Sequence, residues 1–138
     1  MNRSDLQRLA RIRLREARLL LENDCYDGAY YIGGYAVECS LKACIAKKTR
    51  RHDFPDRDAN KYYIHSLEKL AATVGPQLIA ELASTVGIKA NWAIVAGWTH
   101  ETRYAFTTKP RAINLIKAIS APREGIMACI RRHWSRSR

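Results

Sequence analysis

His100, Arg103 and Tyr104 stand close together in the run Trp98-Thr99-His100-Glu101-Thr102-Arg103-Tyr104, and His65 opens a separate run, His65-Ser66-Leu67-Glu68-Lys69-Leu70. Histidine gives or takes a proton near neutral pH. Arginine offers a phosphate group two parallel donors. Those types suit metal-free phosphodiester cleavage, which needs a base for the 2′-hydroxyl, an acid for the leaving oxygen and a cation for the developing phosphorane charge. His100 and Arg103 are three apart and share a face if the segment is helical. His65, His100 and Arg103, with Tyr104 as a positioning hydroxyl, therefore form the candidate catalytic set. The four cysteines make no Cys-x-x-Cys pair and no zinc-type spacing with histidine, so neither a metal nor another cofactor is expected.

The same region admits a purely structural reading. Glu38 and Lys42 are an i, i+4 pair in the favourable order. With Glu101 and Arg103 they can form an interhelical salt-bridge network that sets helix register, and His65 can cap the loop before its helix. Arg13 points into the apolar side of its helix. A buried arginine requires a carboxylate, and Glu38 is its expected partner, which makes Arg13, Glu38, Lys42 and Glu101 the expected polar network.

A second constellation is electrostatic. Arg8, Arg11, Arg15 and Arg18 follow 3, 4, 3 spacing and stack on one helical stripe, with only Glu22 there to offset them. Such a stripe makes sense beside an anionic partner. The alternative is a solvated charged face. The whole chain carries 24 Lys+Arg against 13 Asp+Glu, a net charge of +11, which favours RNA or DNA as a partner.

Length and composition suit one domain with its own core: 138 residues, 47% hydrophobic. The first eighteen residues are charged and lack the apolar stretch of a signal peptide. No apolar run approaches the ~20 residues of a membrane span. Together with the unpaired cysteines this suggests a reduced, bacterial cytoplasm and no membrane association.

The elements that must position these groups read as helices. One helix is expected from Ser4, as N-cap, to Asn23. A second runs from Tyr26 or Asp27 to Lys48. On it Ala29, Gly33, Ala36, Ser40, Ala43 and Cys44 make a side with little bulk, where another helix can approach closely. Tyr31, Tyr35, Glu38 and Lys42 fall together on a different side. The two tyrosines suit either a dimer interface or packing on a neighbouring helix. The polar stretch Lys47 to Asn60 reads as a loop. Short helices are expected over Ser66–Thr73 and Pro76–Thr85, and another from Lys89 through Trp98 to Thr102, with Trp92, Val95 and Trp98 as core. The last begins near Thr108 and must kink or break at Pro122. Arg131, Arg132, Arg136 and Arg138 read as a basic tail, 131–138, that frays. No segment alternates as a strand does. The fold class is all-α, an antiparallel four-to-five-helix up-and-down bundle.

The chain resembles the HEPN family (higher eukaryotes and prokaryotes nucleotide-binding). The matching pieces are Tyr26-Asp27-Gly28-Ala29-Tyr30-Tyr31, then Gly34-Tyr35-Ala36-Val37-Glu38-Cys39-Ser40-Leu41-Lys42-Ala43, then the His65 and Trp98 runs quoted above, in that order. The resemblance implies an all-α bundle, often a homodimer. It also implies RNA-cleaving toxins paired with a nucleotidyltransferase-like antitoxin, or RNA-related modules of defence systems. Catalytic members use an Arg-x4–6-His motif. Here the positions five to seven residues before each histidine hold Ile45, Ala46 and Lys47; Asp58, Ala59 and Asn60; Ala93, Ile94 and Val95; and Ile126, Met127 and Ala128. None is arginine. The expectation is a nucleic-acid-associated module with degenerate or absent ribonuclease activity. The alternatives are a metal-independent ribonuclease with a non-standard His/Arg site and a helical protein-interaction module.

Overall fold

The computed structural model describes residues 1–46 and 65–134, and the expected loop from Lys47 to Asn60 falls outside them. Every regular element among the described residues is helical. In chain order they are α1 (Arg3–Glu22), α2 (Tyr26–Ala46), α3 (Leu67–Val74), α4 (Pro76–Leu82), α5 (Val86–Ala96), a 3-10 turn (His100–Tyr104), α6 (Lys109–Ser120) and α7 (Ile126–Trp134). The all-α class stands as expected. The shorter helices are more finely divided than a four-to-five-helix count implies.

Local chemistry explains the boundaries. Asn2 caps α1, not Ser4: its side chain accepts from the Asp5 amide while Asp5 accepts from the Asn2 amide, a reciprocal capping box. Ser66 and Thr108 cap α3 and α6 through their hydroxyls. The helix expected from Lys89 begins three residues earlier, because Thr85 accepts from the Ile88 amide and supplies a cap. It also ends before Trp98. Gly97 closes it, Thr99 is extended, and His100 to Tyr104 continue as 3-10. After Pro122 the chain starts α7 anew. A Cβ on Gly125 would lie 2.3 Å from the Ala121 carbonyl oxygen, so that turn needs glycine. Arg131 and Arg132 do not fray but belong to α7.

α2 is the central element. It packs against α1, α3, α6, α7 and the 3-10 turn, and a helix apolar nearly all round is a core helix. The side of low bulk behaves as its composition demands: Ala29, Gly33, Ala36, Ser40, Ala43 and Cys44 are all buried. A Cβ on Gly33 would meet Ile116 Cδ1 of α6 at 2.6 Å and the Ala17 Cβ of α1 at 3.8 Å. α1 runs back along α2, with Leu20 against Gly28 near the turn and Ala17 against Gly33 further along. One hydrophobic cluster draws buried residues from every α-helix, with Trp98 among them. No single helix of the described residues is long and apolar enough to cross a membrane; α4 and α5 meet that test only as a pair bent by 109°.

Candidate functional site

The second side of α2 carries the polar chemistry. Tyr31 and Tyr35 are half-buried and stacked, with centroids 6.4 Å apart and planes 4° apart. Tyr31 also lies 5.9 Å from the Trp98 ring. That indole is seated on Gly34: a Cβ there would fall 2.2 Å from three of its atoms. Packing on a neighbour is thus what these tyrosines do within the chain. The Trp98 Nε1 is buried and has no hydrogen-bond partner among the described residues.

One turn along, Glu38 is buried, with its side chain 4% exposed. Its Oε2 accepts from Lys42 Nζ at 2.8 Å and from His65 Nδ1 at 3.0 Å. A carboxylate that is ionised only accepts, in which case Nδ1 is the donor, and the His65 Nε2 makes no contact with Glu38. The His65 ring stands 4.5 Å from that of His100, tilted by 44°. Two residues that are far apart in sequence are therefore neighbours, held from α2 on one side and from the 3-10 turn on the other.

The other members of the expected sets sit differently. Arg103 and Tyr104 lie on the exposed rim, where the guanidinium covers its own neighbour's ring at 4.8 Å. Among the described residues Arg103 makes no hydrogen bond to either histidine. Glu101 is exposed and forms no ion pair there. The expected pairing of Arg13 with Glu38 is wrong. Arg13 Nη1 donates to Glu16 Oε1 at 2.5 Å, one turn along the same helix, because the 3-residue spacing offers a carboxylate without burying the guanidinium. Glu38 instead answers to Lys42 and His65. Burial pushes the Tyr35 hydroxyl up to about 12 and the Cys39 thiol up to about 11, so neither offers a base or nucleophile near neutral pH. Among the described residues no three His, Cys, Asp or Glu side chains cluster as metal ligands would.

A family model described as HEPN domain matches residues 4–119. The chain belongs to the HEPN family. HEPN domains are nucleotide-binding or ribonuclease-type modules. Neither the curated proteins nor the solved structures contain a match to the chain.

This HEPN chain also carries its arginine stripe where expected. Arg8, Arg11, Arg15 and Arg18 are all exposed, and among the described residues no carboxylate pairs with any of them. Arg11, Arg15 and Arg18 border a groove that the sequence did not suggest. α1 forms one wall and the α6–α7 turn the other, enclosing about 340 Å³, and Arg131 completes the rim. The Arg11 guanidinium lies 5.0 Å from the Trp134 ring and that of Arg131 lies 5.9 Å from it. The indole is fixed by a 3.0 Å bond from its Nε1 to the Ser40 carbonyl. The Arg131–Trp134 spacing of three was a usable signal, but assigning Arg131 to a fraying basic tail hid it. A second missed cluster joins α4 to α7. Arg132 Nε donates to Glu81 at 2.6 Å, and the buried His133 meets the other Glu81 oxygen at 2.8 Å. Burial works against the Glu81 charge, but the hydrogen bonds from Arg132 and His133 hold its carboxyl below the usual range.

Proposed function

We propose that this HEPN protein is an RNA-associated module with degenerate or absent ribonuclease activity. In this reading it acts as a homodimer in a toxin–antitoxin or defence pair, beside a nucleotidyltransferase-like antitoxin. One observation carries the RNA contact: four exposed arginines stack on one stripe of α1 without a carboxylate partner among the described residues. Uncompensated like charges at i, i+3 and i, i+4 cost stability; a polyanion neutralises them, and the counterions it releases on binding add affinity. The test is electrophoretic retardation of a mixed RNA pool by wild type and by the Arg8→Gln/Arg11→Gln/Arg15→Gln/Arg18→Gln variant. Retardation by wild type alone supports the reading. Equal retardation by both, or none by wild type, overturns it.

A second reading rests on the His65–His100 pair. With Nδ1 of His65 bound to Glu38, its Nε2 and the His100 ring supply a base and an acid at one place, and Arg103 lies a turn along from His100. This is a metal-independent ribonuclease with a non-standard site. Cleavage of the RNA pool in EDTA, lost in folded His65→Ala and His100→Ala variants, would favour it. An uncleaved pool would return the pair to a structural role.

A further inference from the structure

The three α1 stripe residues Arg11, Arg15 and Arg18, together with Arg131, surround a floor of a different kind. Leu14, Ile119, Pro122 and Met127 line the same groove, and among the described residues no carboxylate does. The volume of about 340 Å³ is that of a small-ligand pocket. Arg11 and Arg131 come from different helices and carry the same charge, yet both guanidinium groups sit on Trp134. Attraction to the ring face offsets their mutual repulsion. The result is a pair of cations gathered at one ring beside an apolar depression.

We propose that this groove holds one unpaired nucleotide of a single-stranded RNA, its phosphate between Arg11 and Arg131 and its base on the apolar floor. A duplex carries its phosphates outward and keeps its bases stacked inside, so it reaches the rim and leaves the floor empty. A single strand can splay a base into a pocket. An acidic peptide without aromatic residues, such as oligoglutamate, satisfies the arginines and has nothing planar and apolar to place beneath them. The proposal rests on the reading of the stripe as an RNA contact and adds to it Arg131, Trp134 and the selection of strandedness.

The experiment is fluorescence anisotropy with a labelled oligouridylate and a duplex of equal length, at several salt concentrations. The proteins are wild type, Arg131→Gln, Ala128→Leu and the four-arginine variant, each checked for folding by circular dichroism. Ala128 lines the groove, and leucine there fills it without changing charge. The single strand is expected to bind about tenfold tighter than the duplex, the order of the gain that contacts to one unpaired base supply. Arg131→Gln should reduce the slope of log affinity against log salt by about 0.7, the single-strand value per phosphate contact. Ala128→Leu should abolish the strand preference and keep the slope. Equal binding of both RNAs by wild type, with Ala128→Leu unchanged, would overturn the groove and leave the stripe standing. Displacement of the oligouridylate by oligoglutamate at equal charge would also overturn it. No binding of either RNA by wild type would overturn the stripe and the groove together.

Discussion

Two regions of this molecule hold cations in opposite ways. On the second side of α2 the cation has an anion: Lys42 pairs with Glu38, His65 hydrogen-bonds the same oxygen, and the Glu38 carboxylate is buried where charge without a partner is costly. On α1 the arginines at 8, 11, 15 and 18 stand in solvent with no carboxylate beside them among the described residues. The first arrangement is complete within the chain. The second is left to solvent, apart from the contact of Arg11 with the Trp134 ring. Whether a charge is satisfied internally thus separates the groups that hold the fold from those that are free to bind. Arg13 makes the point within one helix: it lies between Arg11 and Arg15, yet Glu16 neutralises it.

The largest effect should come from breaking the compensated side. Glu38→Gln leaves Lys42, with its side chain 12% exposed, without its counter-charge. Removing one partner of a buried pair costs about 3 kcal/mol, so the melting temperature should fall by many degrees. An unchanged melting curve would mean that Lys42 finds solvent easily and that this face is not a closed network.

A smaller loss is expected where α4 meets α7. Glu81→Gln removes charged hydrogen bonds to Arg132 and His133, worth about 1–2 kcal/mol in this partly exposed setting. Its pH signature follows from the depressed Glu81 carboxyl. A group held below its unfolded value of about 4.3 contributes fully above that pH, and the contribution vanishes as pH falls through the folded value. Wild type and variant should therefore differ at neutral pH and converge in acid. A constant difference down to pH 3 would contradict the assignment.

The uncompensated side should respond least in stability. Relief of repulsion should at least balance the lost contact of Arg11 with the Trp134 ring, so replacing Arg8, Arg11, Arg15 and Arg18 with glutamine should leave stability within about 0.5 kcal/mol of wild type or raise it slightly. Added salt should sharpen the same contrast by screening that repulsion. Wild type should gain a few tenths of a kcal/mol between low and high salt, and the variant less, as read by denaturant melts. A larger gain in the variant would place the repulsion elsewhere.

Much of this was legible in the sequence, for stated reasons. The low-bulk side of α2, and the close approach of another helix to it, follow from helical periodicity alone; that Ala17 and Ile116 are what meets it there is a tertiary fact. The stripe on α1 was equally readable, since exposure of four arginines is hard to avoid. Pair partners were not. Glu38 had several cations within plausible reach, and the choice of His65 over Arg13 depends on where α3 starts relative to α2, a tertiary fact. The stop at Gly97 was missed because Trp92, Val95 and Trp98 keep helical spacing beyond the helix, and His100 consequently sits on a 3-10 turn. The groove was invisible because its walls come from opposite ends of the chain.

The measurement that tests the account most directly pairs two readouts on one variant, Arg8→Gln/Arg11→Gln/Arg15→Gln/Arg18→Gln: its thermal melt, and the salt dependence of its binding to single-stranded RNA. The account predicts a melting temperature at or above that of wild type together with loss of the salt-dependent binding. A lowered melting temperature, or an RNA affinity and salt slope equal to wild type, would contradict it.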